Sequence, residues 1–573
     1  MPARLARGCA MALALALVLV LALPAPLAQA ATLDVAWWRD GQLTALQLDE
    51  NGAARRDAFD GARQVPLGSL WKLFVYVYAI DKKVPTPDYT CGGQKNEEVY
   101  CCTAGKSIAR NLALAQSCGL FFSPARLMLT RGPWQQYWSE RLGRAAIGEY
   151  AWLADPSHLA PERLVSLRSL MVALASVPAE SRMDAESALL HVVLGARGVN
   201  TASWFGSRLR VKTYSWHHPQ RTTERLGGAA GWLADGTPLW FGGADTSSRI
   251  LEKWAPRLAR TLPPAASPVD AGCVVVDYFA RYPIRSVAAG RSAAVPGLLN
   301  GPYQVRFENG RSLALFSQND MVLERDPQGR TRLTGRFGVN EYVARVIDRE
   351  GGTSAPEAAK ALAVAARTYL QQNARWAEGC QRIADSSATQ RVSPQPASVA
   401  ARAIAGWTDQ LVLSGVNVRY HADTASKDTM AWSQAVAQAG QGMRFDAILT
   451  AAYPGADLTT LAGGDSQQCV RLPGAQAWLA RELPQWERVL RKQAGYETPF
   501  ESPAVCHLAR GTPYSEQSRN RIYVRGLASR EDRITLAHEF LHLGLRNHPS
   551  GQDEVLVEQL ARRLVDARLE VHQ

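Results

Sequence analysis

The apolar and polar positions change period along the chain, and each change marks an element. Residues 10–23 form one unbroken apolar run. Residues 65–76 (VPLGSLWKLFVY) predict an apolar helix opening at Ser69. Residues 301–307 and the short alternating segments after them predict strands. Residues 355–369 are rich in Ala and predict a helix, with Pro356 acceptable in its first turn because no backbone N–H is needed there. Residues 521–525 alternate as an edge strand does. Ile534, Leu536, Phe540 and Leu541 recur as on a half-buried helix, and residues 553–562 form a second amphipathic helix. Gly463, Gly464, Asp465 and Ser466 mark a linker over residues 461–480. The expected fold class is α+β and multidomain, with modules at residues 32–260, 295–460 and 465–573 after a leader at 1–30. A length of 573 residues and a hydrophobic content of 47% suit three or four domains with ordinary cores.

The leader changes the compartment. Arg4 and Arg7 precede the apolar run, and Ala28-Gln29-Ala30 follows it as a cleavage site. The run is short for a membrane span, and Cys9 lies before it, out of place for lipidation. The mature chain is therefore expected to be periplasmic or secreted, with no transmembrane span. Eight Cys remain after the leader, an even number for an oxidising compartment. Cys91 is expected to pair with Cys101 or Cys102, and Cys469 with Cys506. None has paired C-x-x-C zinc spacing. The net charge of +12 would draw the protein to anionic wall polymer, lipid headgroups or nucleic acid. The charge is scattered and no nucleic-acid motif occurs, so a solvated surface accounts for it.

Chemistry concentrates at residues 534–544, ITLAHEFLHLG. His538 and His542 stand four apart, on one helix face, where both imidazoles can hold one zinc ion. Glu539 lies beside them, placed to take a proton from an attacking water. A third ligand is needed. His548 has the spacing of a third His, but the expected Gly is displaced to Gly544. Glu554 and Glu558 lie on the following helix. Glu558 is the expected ligand, Glu554 the second choice and His548 the third. This part resembles the zinc metallopeptidases of the zincin type, which take a Glu from such a helix and present substrate on a neighbouring strand.

Ser69 and Lys72 form a Ser-x-x-Lys, in which one helical turn brings an amine beside a hydroxyl for acyl transfer. The series continues with residues 113–122 (ALAQSCGLFF), residues 211–215 (VKTYS) and a strand expected at 231–236. This order resembles the penicillin-binding transpeptidase and beta-lactamase fold. Gly119 stands where that family has Asn, and Tyr214 where it has Gly, adding bulk where an acyl donor would lie. A module that binds stem peptide without turning it over fits these departures.

Residues 350–369 end in APEAAKALAVAARTY. This resembles the stage II sporulation protein D (SpoIID) family, in which a Glu at a strand end precedes such a helix. By that resemblance Glu350 is the candidate general acid for cutting a glycan strand, given burial that raises its pKa. The alternative for Glu350 is a solvated loop carboxylate. The family's His and Cys are absent from residues 383–390, and its Gly-Gly is replaced near Thr424 and Ala425. Glycan binding is the safer expectation.

The three modules in this order resemble the YfaQ-like secreted bacterial proteins of the DUF2300 family. That resemblance implies a setting in envelope defence and an alpha-2-macroglobulin-like partner. The leading expectation is a zinc-dependent peptidase whose upstream modules bind peptidoglycan or cell-wall peptide. The alternatives are a peptidoglycan-modifying enzyme acting through Ser69/Lys72 or Glu350, and a non-catalytic wall adaptor.

Overall fold

The computed structural model describes residues 31–566 apart from 52, 94–100, 144–147, 197–199, 219, 222, 264–271, 388, 424–428, 462–468, 500 and 509–510. The leader, the Gly463–Ser466 stretch and residues Thr424 and Ala425 lie outside the described residues.

The first unit is a six-stranded antiparallel sheet ordered Ala54–Arg56, Gln42–Asp49, Thr32–Arg39, Pro238–Ala244, Arg225–Leu233, Leu209–His217. The VKTYS stretch thus lies on the edge strand Leu209–His217, as expected. The strand expected at residues 231–236 lies earlier. Pairing ends at Leu233, and Gly236, at φ 81°, turns the chain into Pro238–Ala244. A single turn Gly68–Leu70 leads into the helix Trp71–Asp81, which is buried along nearly its whole length. That explains why its sequence is apolar on every face.

The middle unit is built on eight strands ordered Ser292–Ala293, Ile284–Ala289, Gly297–Phe307, Ser312–Arg325, Thr331–Phe337, Val274–Tyr278, Cys380–Ala384, Arg375–Ala377. Its sheet begins at Val274, ahead of the boundary expected at residue 295, and the Cys273–Cys380 disulfide ties that first strand to Cys380–Ala384. The Ala-rich segment is the helix Pro356–Asn373, with Pro at its start. Its small side chains let it sink between two hydrophobic cores. Arg367 of this helix, 1% exposed, donates to the carbonyls of Thr408 at 2.8 Å and Leu411 at 3.0 Å, so its charge is spent on backbone. The first two units share a sheet. Val192–Val193 pairs with Asp457–Thr460, which pairs in turn with Leu411–Ser414.

The last unit opens with the helix Pro473–Leu490, so the expected linker ends earlier than residue 480. Trp478, Leu479 and Trp486 of this helix are buried, which holds it in place. Three short strands follow in the order Ala504–His507, Arg521–Val524, Tyr514–Glu516. The strand expected at an edge, Arg521–Val524, is the central one. It runs parallel to Ala504–His507 and antiparallel to Tyr514–Glu516, and its residues Ile522 to Val524 are all buried. The helix Arg530–Gly544 starts at Ser529, whose side chain and that of Asp532 cap each other's backbone N–H groups. It is buried more completely than expected, from Leu536 to Leu545 on nearly every face. The helix Glu554–Asp566 packs across it. Cys469 bonds Cys506, and this unit also leans on the middle one, where Gln371 donates to Glu516 at 2.9 Å. The remaining pairs are Cys91–Cys102, which resolves the expected alternative, and Cys101–Cys118.

Phe540 is fully buried against Trp486, with ring centroids 5.7 Å apart. Phe540→Ala is expected to destabilise this unit by roughly 3–5 kcal/mol. The measurement is urea-dependent hydrogen exchange over residues 530–566, and an unmoved transition would contradict the packing described.

Candidate metal centre and the serine–lysine cluster

The helix Arg530–Gly544 presents His538 and His542 on one face, and the helix Glu554–Asp566 crosses that face. His542 Nδ1 lies 2.8 Å from the Gly551 carbonyl, so Nδ1 carries the proton and donates it. His538 Nδ1 lies 3.0 Å from Glu558 Oε2 and donates likewise. Both lone pairs are thereby assigned to Nε2, and the two Nε2 atoms face each other at 3.0 Å. Two lone pairs at that distance repel unless a positive species lies between them. Glu554 meets both: Oε2 lies 3.2 Å from His538 Nε2 and Oε1 3.5 Å from His542 Nε2.

One ligand atom from each of His538, His542 and Glu554 falls within a 4.8 Å group. The 3.0 Å between the two Nε2 atoms and the 3.2 Å from His538 Nε2 to Glu554 Oε2 are near the edge of a tetrahedron about a zinc ion, about 3.3–3.4 Å for bonds of about 2.0–2.1 Å, while His542 Nε2 is nearest the other oxygen, Oε1, at 3.5 Å. Of the two candidate carboxylates it is Glu554, not the expected Glu558, that meets both inner nitrogens. Glu558 instead holds the outer nitrogen of His538, as a carboxylate does behind a metal-binding His. His548 stands apart, with its Nδ1 on Ser550 Oγ at 2.9 Å, where it caps the turn Pro549–Gln552.

Burial and charge set the protons here. Burial pushes Glu539 up to about 7 against the charge of His538. Its carboxylate accepts the backbone N–H of Ser515 on the edge strand Tyr514–Glu516, while Oε2 is buried with no hydrogen-bond partner among the described residues. Such an orphaned oxygen suits a proton acceptor that finds its partner only in a working complex. Burial and then the charge of His538 push His542 down to about 4. His538 is raised despite its burial, by its bond to Glu554, the charges of Glu539 and Glu554, and its bond to Glu558. Burial would raise Glu554, but its bond to His538 and the charges of His542 and Arg419 hold it at about 2. Arg419, whose guanidinium pairs with Glu554, comes from the strand Arg419–His421 of the middle unit. No local spacing marks it.

Glu350 is the last residue of the helix Val339–Glu350, a helix end where the resemblance implied a strand end. It is half-buried and tethered rather than loose. Its Oε1 accepts the Arg391 N–H at 2.6 Å, and burial raises its pKa. Asp385, also raised by burial, accepts the neighbouring Val392 N–H at 3.0 Å. Tyr420 feels the charge of Glu350 and accepts from Gln390 Nε2 at 2.8 Å. Tyr420 follows Arg419 directly, so one strand serves both neighbourhoods.

In the first unit Lys72 Nζ donates to Ser69 Oγ and to Ser117 Oγ, each at 3.1 Å. Ser117 adopts φ 62°, and its neighbour Cys118 is pinned by the disulfide to Cys101. Lys212, 2% exposed, is brought near Lys72, and burial with that second charge lowers it to about 7. Tyr214 packs tightly beside the turn that carries Ser69. Its ring is buried, and a Cβ at Gly68 would fall 2.9 Å from Tyr214 Cβ, one at Gly242 2.5 Å from its hydroxyl. Its bulk thus lies under the serine turn. A side chain at Gly119 would meet Lys72 Cε at 3.6 Å, so the space of the missing Asn is open.

The chain is similar to known proteins over most of its length. The family described as predicted secreted protein (DUF2300) matches residues 93–220 and 428–550. The stage II sporulation protein family matches residues 328–439. The uncharacterized protein YfaQ of Escherichia coli (strain K12) is 44% identical over 521 residues, covering 91% of this chain and 93% of that one. Among solved structures, the class D beta-lactamase of Sebaldella termitidis has a TM-score of 0.25 at 10% identity, covering 39% of this chain and 85% of that one. A class D beta-lactamase of Bacillus subtilis has a TM-score of 0.27 at 10% identity, covering 40% and 90%. Likeness at that level carries no statement about chemistry. No helix among the described residues is long and apolar enough to cross a membrane.

The buried Lys212 makes stability depend on pH. Unfolded, a lysine keeps its proton up to about 10.5, whereas here the proton is lost near 7. Its contribution to stability is complete above 10.5 and disappears as the pH falls toward 7. The unfolding free energy of the wild type should drop by on the order of 3–5 kcal/mol more than that of Lys212→Met between pH 10 and 7. Parallel curves would contradict the buried lysine.

Proposed function

The chain belongs to the DUF2300 family of predicted secreted proteins, and we propose that its last unit is a zinc-dependent peptidase of the cell envelope. The observation that carries this reading is the convergence of His538 Nε2, His542 Nε2 and Glu554, with the proton of each Nδ1 already committed elsewhere. His538, His542 and Glu554 would hold the ion. Zinc bound there would supply a Lewis acid that polarises a peptide carbonyl and acidifies a water. Glu539 Oε2 accepts the proton of the attacking water. Its raised pKa lets the same carboxyl return that proton to the departing amine. Glu558 and the Gly551 carbonyl keep the rings in the required tautomer. The edge strand Tyr514–Glu516, bonded to Glu539 through Ser515, is placed to lay an extended peptide along the site. The upstream units serve to hold peptidoglycan or its peptides.

The expected result is about one zinc per full-length chain, read by elemental analysis. Glu539→Gln keeps the metal and lowers peptide hydrolysis by about 10²–10⁴-fold. Glu554→Gln loses the metal, whereas Glu558→Gln weakens its binding by about 10–100-fold. A metal-free protein after purification with zinc present would sink the proposal.

A second activity is favoured by one observation, the Ser69–Lys72–Ser117 chain of hydrogen bonds with Lys212 nearby. Lys72 Nζ, within hydrogen-bond reach of Ser69 Oγ, is the group that as a neutral amine would receive the proton Ser69 gives up in attacking an acyl donor. Gly119 removes an amide contact to that donor, so the reaction should be slow. Incubation with a penicillin is expected to add one adduct mass to the wild type and none to Ser69→Ala. An unchanged wild-type mass would leave this unit as a binder.

A further inference from the structure

Arg419 lies more than a hundred residues before the metal-site helices, on a strand of the middle unit, yet its guanidinium forms an ion pair with Glu554. Its backbone is fixed twice. The strand Arg419–His421 pairs in parallel with Thr429–Ala431, and the Arg419 carbonyl accepts the Tyr453 hydroxyl at 2.7 Å. The contact is made through Glu554 Oε1, while Oε2 of the same carboxylate lies 3.2 Å from His538 Nε2. The other guanidinium on this helix face, Arg562, binds Glu558 at 2.7 Å and Glu531 at 3.2 Å. The charge of Arg419 also reaches Glu539, which is buried beside Glu554 and repels it.

We infer that Arg419 is a positioning residue of the metal centre: it grips Glu554 by Oε1, turns Oε2 toward His538, and offsets the repulsion between Glu554 and Glu539. This inference rests on the zinc reading above. A carboxylate on a helix surface has several rotamers, and the ion pair selects the one that completes the donor set. Arginine suits this because its planar fork fixes direction as well as charge. The site is then complete only when the middle and last units are docked. The middle unit therefore has a role in the chemistry beyond any binding of wall polymer.

The test is zinc affinity, measured on the full-length chain by competition with a chromogenic chelator, with no activity readout needed. Arg419→Ala should bind zinc about 10–100-fold more weakly than wild type. Arg419→Lys, which keeps the charge without the fork and preserves docking, should fall between the two. Wild-type affinity in both Arg419 variants would overturn the inference and leave the zinc reading intact. Tighter binding by Arg419→Ala would also overturn it, because Arg419 would then compete with the metal for the carboxylate. Absence of zinc from the wild type would overturn the metal reading, and this inference with it.

Discussion

Two imidazole rings, each tied down by its outer nitrogen, are made to point their inner nitrogens at one another. The Gly551 carbonyl fixes one ring and Glu558 the other. Neither ring can relieve the encounter by flipping without breaking one of these bonds. The metal-free protein can answer with a proton on His538, which its acidic neighbours favour. In the proposed metal centre a divalent cation would take that place and also engage Glu554, with the unpartnered Glu539 Oε2 buried beside it.

The geometry depends on parts that look unrelated to chemistry. The capping box at Ser529 starts the helix in register, and Phe540 with Trp486 holds its buried face. The turn Pro549–Gln552, capped by His548, brings the Gly551 carbonyl beneath His542 and aims the next helix across it. His548 thus serves the site through backbone. The middle unit supplies Arg419, and the neighbouring Tyr420 belongs to the environment of Glu350. A single short strand therefore borders two acidic clusters, one around Glu554 and one around Glu350. The serine–lysine cluster stands in the first unit with its own positioning devices, the Cys101–Cys118 disulfide and the left-handed Ser117.

Much of this was legible in the sequence where the information is local. Four-residue spacing on a helix is enough to bring His538 and His542 together, and Ser69 with Lys72 follows from one turn of helix. The choice between Glu554 and Glu558 was not legible. The two lie one turn apart on the same face, so spacing cannot separate them, and the docking register of the two helices decides. Arg419 was invisible for the same reason at longer range, since only the packing of one unit on another gives it a partner. The strand Arg521–Val524 read as an edge because alternation reports local pattern. Its central place comes from pairing with Ala504–His507 on one side and Tyr514–Glu516 on the other, which alternation alone does not reveal. The size of Tyr214 is plain in the sequence, but not the two glycines, Gly68 and Gly242, against which it packs.

The central claim is that two imidazoles and one carboxylate of this chain bind a single zinc ion. X-ray absorption at the zinc edge, on the full-length protein loaded with one equivalent, tests it most directly. The account predicts nitrogen and oxygen neighbours at about 2.0–2.1 Å, the multiple-scattering pattern of two imidazoles, and no sulfur shell near about 2.3 Å. A spectrum with sulfur ligands, or without the imidazole pattern, would contradict it.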